Sequence, residues 1–341
     1  MSAPRPSHAP GLENGSPRAA APFFRQALEL LGLGRHQEAL AFLDGALLQF
    51  GPGAATPEAL AARAAILAGL GLPRDTPPPW DWPGGLEDAG TACAVCGQAM
   101  GRFETLHGKD WLYCPGCRLL HCRVDEPTLR RMDLGEADGA KKPADSVVHR
   151  RELYFCTLFL EGLAWSRVLL YGAGWSLVPG ILSERGIHAV GCDLWRPLIA
   201  ARRSELGPDR FFHRDELPAT TFDLISAFEV FEHFARPGRD AAVLADRLAP
   251  EGAIVGCTDF WHGGSLARHP SADAAYWRHG VHVTAWTYAS MRRLASGLGL
   301  TASFFKVDTP GFAAKVFFVL HRGARTGAFV ASLPAIFQGV F

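Results

Sequence analysis

The stretch VLLYGAGWSLVPGILSERGIHAVGCD, residues 168–193, constrains the fold more than any other part of this 341-residue chain. An apolar run from Arg167 to Tyr171 meets a Gly172-Ala173-Gly174 turn. A helix-compatible stretch follows, and then a second apolar strand that ends in Asp193. Strand, glycine turn, helix, strand and acid, in that order, make a cofactor site at the edge of an open parallel sheet. The glycines let the backbone approach a ligand, and the helix start offers amide N–H groups that the helix itself does not use. Asp193 stands 19 residues after Gly174, near the spacing at which a carboxylate closing the second strand grips two ribose hydroxyls. A tight turn in another kind of α/β domain would carry the same glycines, so the surrounding elements decide.

Composition narrows the class. Hydrophobic residues make up 48% and charged residues 20%, ordinary for a soluble globular chain with room for one sizeable α/β domain and smaller units. The formal net charge is zero, which points to neither a polyanionic partner nor an anionic membrane surface. Residues 326–341 are apolar but short and contain Pro334, so no membrane span is expected. The N-terminus lacks a basic start leading into an apolar segment, and a cytoplasmic location is the expectation.

The chain reads as consecutive units. Residues 1–21, rich in Pro, Ser, Gly and Ala, have the composition of a disordered tail. Residues 22–73 carry three helical patterns, and Thr56-Pro57-Glu58 places an N-cap before a first-turn proline. The middle stretch, GRHQEALAFLDGALLQFGPG, resembles a tetratricopeptide repeat, with Gly34, Ala39, Leu40 and Ala46 at small or packing positions. Such a unit binds a protein partner or simply caps the next domain. Residues 74–90 form a proline-rich linker, residues 91–125 a cysteine segment, and residues 145–322 alternate strand and helix patterns as a covered parallel sheet does. Residues 323–341 are left as a C-terminal extension.

Eight cysteines cluster unevenly, which suits metal binding better than disulfides. Cys93-x2-Cys96 and Cys114-x2-Cys117 are separated by 17 residues, and each pair presents two thiolates from one tight turn. Together they supply a tetrahedral shell suited to a structural Zn(II), with an iron–sulfur cluster or redox dithiols as the alternatives. A closed four-thiolate shell leaves no position for substrate, so this metal is not expected to do chemistry. His121 and Cys122 fall outside the paired pattern.

Beyond Asp193 come a helix pattern ended by Gly207-Pro208, then FFHRDELP, a clean strand from Thr221 to Phe228, the stretch FEVFEHF, another helix, and the strand AIVGCTDF. LTASFFKVDTPGFAAKVFFVLHR closes the segment as an antiparallel hairpin. In the order VLLYGAGWS, VGCD, RDELP and FDLISAFEVFEHFARP, residues 168–322 resemble a class I S-adenosylmethionine-dependent methyltransferase. The resemblance implies an α/β fold, a seven-stranded Rossmann-like sheet with its last strand antiparallel, and S-adenosylmethionine across the carboxyl edge of the first strands. It also implies that Gly172 and Gly174 line the methionine side, that Asp193 holds the ribose, and that Asp215 and Glu216 lie near the adenine. Phe228 and Glu229 would approach the methionine, with His233 behind them. Two departures stand out: Leu170 replaces an acid that helps bind the methionine ammonium, and Ser176 replaces a third glycine. A nicotinamide site would need G-x-G-x-x-G, and Leu177 occupies its third position. The cysteine segment ahead of this domain is similar in layout to sugar and natural-product C- or O-methyltransferases.

Methyl transfer needs an electron-rich acceptor, a near-linear approach and often a base. The region after AIVGCTDF offers His262, His269, His279, His282, Tyr276, Trp261, Trp277 and Trp286. His282 is the first candidate for general base, because an imidazole titrates near neutrality; its alternation with apolar neighbours equally suits a packed histidine. His262 and His233 follow, the latter as an orienting residue. The expected acceptor is a small molecule, a sugar derivative, natural product or peptide-derived metabolite. An RNA or protein methyltransferase and a non-catalytic scaffold are the alternatives. The basic pairs Arg130-Arg131, Lys141-Lys142 and Arg150-Arg151 have acids nearby, which argues against nucleic acid.

Overall fold

The computed structural model describes residues 17–36, 56–69, 86–124, 147–261, 281–306 and 316–336, together with Ala39, Leu40, Leu43, Asp44, Leu47, Thr128 and Leu266. The chain divides into two compact units, residues 1–85 with 262–270, and residues 86–261 with 271–341. In the first lie helices α1 (Pro17–Gly32) and α2 (Pro57–Gly69), the second capped by Thr56, whose hydroxyl accepts from the Ala59 amide at 3.2 Å. Helix thus begins at Pro17, inside the stretch whose composition suggests a disordered tail. A buried pair, Arg63 Nε to Asp44 Oδ1 at 2.7 Å, lies within this unit. Most of the tetratricopeptide-like stretch lies outside the described residues.

The second unit holds two sheets. A seven-stranded sheet is built from β5 (Arg167–Tyr171), β6 (His188–Asp193), β7 (Phe211–His213), β8 (Phe222–Ser226), β9 (Leu248–Thr258), β11 (Thr301–Lys306) and β12 (Val316–His321). Their order is β7-β6-β5-β8-β9-β12-β11; the first five run parallel, and β12 is antiparallel to both its neighbours. The expected fold class is therefore the observed one. Successive residues of each strand feed opposite faces, as strand geometry requires. Leu169, Tyr171, Ile225 and Ile254 face one apolar layer, and Val168, Leu170, Leu224, Ala253 and Val255 the other.

Helix α3 (Val147–Leu163) covers the second face with a stripe of Glu152, Phe155, Cys156, Phe159, Leu160 and Leu163, at three- and four-residue spacing. A terminal helix, Ala324–Ile336, buries Val330 and Leu333 in that same layer. Arg325 Nη2 donates to the Leu163 carbonyl and Thr326 Oγ1 to the Glu251 carbonyl. What the sequence leaves as an extension past residue 322 is an integral covering helix.

The cysteine segment forms β1 (Asp88–Ala92), β2 (Ala99–Leu106), β3 (Lys109–Tyr113) and β4 (Leu120–Cys122). The β2–β3 hairpin turns at His107-Gly108, both with positive φ (52° and 73°), the backbone of a tight two-residue turn. A fifth strand joins this sheet from far along the chain: β10 (Thr284–Ala285) pairs antiparallel with β4. Cys93, Met100, Leu112, Cys114, Cys117 and Leu119 pack into the first apolar layer of the seven-stranded sheet. The segment is thus a covering layer of the larger domain. No helix among the described residues is long and apolar enough to cross a membrane.

Candidate functional site

The glycine turn lies at the carboxyl end of β5, between β6 and β8. Gly172 and Gly174 have φ of +66° and +52°, a left-handed backbone that glycine adopts without penalty. A Cβ on Gly172 would lie 2.7 Å from Val230 Cγ2, so the loop sits directly against the segment after β8. Asp193 closes β6 and reaches back to this loop: its Oδ2 accepts from the Gly174 amide at 3.0 Å. Its Oδ1 accepts from Leu194 N at 2.7 Å and Trp195 N at 3.1 Å. The carboxylate is therefore fixed by three amides beside the turn.

The two departures from the family pattern prove to be linked. Leu170 is fully buried in the α3-facing layer, and its neighbour across the ladder is Ser226. A carboxylate bonds to that serine. Glu152, on α3, accepts 2.6 Å hydrogen bonds from Ser226 Oγ and from Ser176 Oγ. Burial pushes its carboxyl above the usual range, against the pull of the two hydroxyls. Ser176 also accepts from Val178 N at 3.2 Å, and its carbonyl accepts from the buried Arg202 guanidinium at 2.6 Å. The serine in the third-glycine position thus anchors the loop. It also takes one amide of the helix that follows (Val178–Glu184), which the sequence alone would leave open to a ligand.

Asp215 and Glu216 lie on a single 3-10 turn after β7. Glu216 is held by Arg196 and Arg203, each at 3.0 Å, which draw its carboxyl below the usual range. Asp215 contacts Arg214 at 3.4 Å. Phe228 is buried against Phe155 and Phe317. Glu229 has φ +54°, uncommon for a residue with a side chain, and its Oε1 lies 3.3 Å from Cys257 Sγ. Such backbone strain collects at functional sites.

Past Glu229, the turn Phe231–His233 carries a buried Glu232 and a half-buried His233. Glu232 Oε2 accepts from Thr258 Oγ1 at 3.0 Å, and His233 Nδ1 lies 3.1 Å from the Val281 carbonyl. His282 comes from the other side, its ring centroid 4.6 Å from that of His233, edge to face. Residues expected as separate candidates are therefore one cluster. His262, His269, Tyr276, Trp277 and His279 lie outside the described residues. Trp261 and Trp286 are fully buried; Trp261 packs on Phe103 and Tyr113, and Trp286 Nε1 donates to the Phe231 carbonyl at 2.9 Å.

The cysteine sheet positions His282. Lys109 Nζ donates to the His282 carbonyl at 2.8 Å, and Cys122 N to the Val283 carbonyl at 2.8 Å. Val283 N donates in turn to the Glu232 carbonyl at 2.9 Å. Thr284 Oγ1 donates to the Phe234 carbonyl at 2.7 Å and lies 2.9 Å from His121 Nδ1. Burial lowers His121 to about 4, so it is a neutral strut at neutral pH. No motif spacing reveals this role for His121.

Cys93, Cys96, Cys114 and Cys117 bring their four sulfurs within 4.8 Å of one another. Cys93 and Cys117 are 3.6 Å apart and Cys96 and Cys114 3.3 Å, too far for disulfides of about 2 Å. These spacings are near the ~3.8 Å edge of a tetrahedron with ~2.3 Å metal–sulfur bonds. Hydrogen bonds from Cys114 and Cys117 lower Cys93 to about 4, while Cys114 and Cys93 push Cys117 far up. One cation at the centre removes that conflict by favouring all four thiolates. The cluster can hold a metal ion, and His121 and Cys122 are not part of it.

Residues 140–302 match a family model described as a methyltransferase domain. Comparison with curated proteins gives no match. Among solved structures, magnesium protoporphyrin IX methyltransferase from Synechocystis PCC 6803 is 12% identical, with 58% of this chain and 94% of that chain covered and a TM-score of 0.41. A 1,6-didemethyltoxoflavin-N1-methyltransferase from Burkholderia thailandensis is 15% identical, covering 67% and 97%, with a TM-score of 0.43. An O-methyltransferase family protein from the same organism is 9% identical, covering 52% of this chain and 58% of that one, with a TM-score of 0.37. This chain thus spans less than two thirds of that protein. Likenesses this distant say nothing of substrate. Residues 140–302 thus join a match to a methyltransferase domain with a seven-stranded sheet whose glycine turn is tied to its strand-ending acid.

Proposed function

We propose that the protein transfers the methyl group of S-adenosylmethionine to a small-molecule acceptor, at carbon or oxygen, and that a structural Zn(II) in the four-cysteine shell holds the acceptor side of the site in place. The observation that carries the reading is the hydrogen bond from Gly174 N to Asp193, which joins the loop expected at the methionine to the acid expected at the ribose. In this reading Gly172 and Gly174 line the methionine, Asp193 binds the ribose, and Asp215 and Glu216 border the adenine. Phe228 and Glu229 flank the reacting sulfonium. Glu152 supplies, from helix α3, the carboxylate that position 170 lacks, and pairs with the methionine ammonium. His282 and His233 serve the acceptor, His262 belonging to the same sequence region. Zero net charge supports a small acceptor over nucleic acid.

Calorimetry on the full chain with its metal retained tests the reading. S-adenosylmethionine is expected to bind, and Asp193→Ala to weaken it severely. No heat from the wild-type protein would refute methyl transfer and leave a scaffold carrying the fold. Metal analysis of the reduced protein is expected to return close to one zinc per chain; a folded, metal-free preparation would remove that element.

A further inference from the structure

Glu232, His233 and His282 each offer one ligand atom, and these atoms all lie within 4.8 Å of one another. The first two share the turn after β8, and the third is brought in beside β10, so no local motif contains the set. We infer that these three side chains bind a divalent cation, and that this cation receives the acceptor as a hydroxyl. The inference deepens the methyl-transfer reading above and rests on it for the identity of the reaction.

One carboxylate and two imidazoles are a donor set that divalent first-row metals accept, and three protein ligands leave coordination positions open. The outer supports of such a site are also in place. Thr258 Oγ1 donates to Glu232 Oε2 at 3.0 Å, which orients the carboxylate. The Val281 carbonyl lies 3.1 Å from His233 Nδ1, which puts the proton on Nδ1 and leaves Nε2 as the ligating nitrogen. Lys109 and the cysteine sheet fix the His282 backbone, so the imidazole is delivered from a braced strand end. Glu232 is fully buried while both histidines are half-buried, so any open face lies on the histidine side. Val230, two residues before Glu232, touches the glycine turn, which places the cluster next to the methionine end of the cofactor site.

The chemistry balances without a further reagent. A hydroxyl on a divalent cation loses its proton to solvent water near neutral pH, because the cation stabilises the alkoxide. The alkoxide oxygen then forms a bond to the methyl carbon. The carbon–sulfur bond breaks, its electron pair stays on sulfur, and the sulfonium becomes a neutral thioether. This assigns the acceptor atom as a hydroxyl oxygen.

The test is Co(II) binding to the zinc-loaded full chain, followed by equilibrium dialysis and absorption. The expected result is one Co(II) bound beyond the zinc, without the intense thiolate-to-metal absorption that a four-cysteine shell gives. His233→Ala and His282→Ala, at half-buried positions, are expected to weaken it by at least ~10-fold while the zinc content stays constant. Retention of Co(II) in both variants, binding only with thiolate absorption, or no second cation at all would each overturn the inference. The readout is separate from cofactor binding. Co(II) binding without S-adenosylmethionine binding would refute methyl transfer and leave the cation site standing, and the reverse result would do the opposite.

Discussion

Glu152→Gln isolates the most unusual element of the proposed cofactor site. The side chain keeps its size but loses the charge that would pair with the methionine ammonium. Both carboxylate oxygens are hydrogen-bonded at 2.6 Å by hydroxyls, and an amide oxygen retains one of these acceptors. The fold should therefore lose only about 1 kcal/mol. A buried charged hydrogen bond to the cofactor contributes about 1.5–3 kcal/mol, roughly 10- to 150-fold in Kd. Isothermal titration should show that loss for S-adenosylmethionine and S-adenosylhomocysteine. It should show none for 5′-methylthioadenosine, which has no amino-acid part.

The pH dependence carries a second signature. Burial raises the Glu152 carboxyl above its usual 4.5, so the folded chain holds this proton to higher pH than the unfolded chain does. Wild-type stability therefore falls as pH rises from about 4.5 through the raised value, and Glu152→Gln lacks that slope. The ammonium favours the ionised carboxylate, so wild-type cofactor affinity should rise across the same window and the variant's should not. Cys156, on the same helix, is pushed well up by burial and stays a thiol, and Arg202 is committed to the Ser176 carbonyl and Glu205. Equal losses for all three ligands, or no loss for any, would refute the assignment and leave Glu152 as a brace for the loop.

Asp193→Ala removes the acceptor of three backbone amides as well as the proposed ribose contact, and about 3 kcal/mol, or ~100-fold in Kd for S-adenosylmethionine, should go with it. Gly172→Ala forces a side chain into φ +66° and onto Val230, so chemical denaturation should show a loss of at least about 1–2 kcal/mol together with weaker cofactor binding. Cys96→Ser should lower zinc content and the melting temperature. Because β4 braces β10, it should also reduce turnover with little change in cofactor Kd; an equal effect on Kd would show that the cysteine sheet supports the whole domain instead. His282→Ala should abolish most turnover at near-normal cofactor affinity, measured by calorimetry and a methyl-transfer assay, and unchanged turnover would make it a packing residue.

Much of the fold was legible because its signals are local. The glycine turn, the acid ending β6 and the paired cysteines are short patterns whose chemistry follows from backbone geometry and ligand spacing, and each stands where the pattern implies. The stretch around His282 was harder. Its alternation reads as a strand, but the strand formed is only Thr284–Ala285, against the cysteine sheet, with Trp286 bridged to Phe260. The terminal helix was misplaced for a related reason: an apolar stretch with a proline carries no mark of the surface it will cover.

Leu170 shows the boundary most clearly. By itself the sequence determined that the domain is a doubly covered parallel sheet with a cofactor loop, that four cysteines make one shell, and that position 170 lacks an acid. The first two follow from periodicity and spacing, which act over a few residues, and the third from the resemblance to the methyltransferase family. Only the tertiary structure decided that Glu152 receives the hydroxyls of both Ser176 and Ser226, and that Glu232, His233 and His282 meet at one point. Ser226 and Glu152 are 74 residues apart, and His233 and Val281 are 48 apart. Such contacts depend on which helix covers which face and which strand joins which edge, and packing across the sheet sets both.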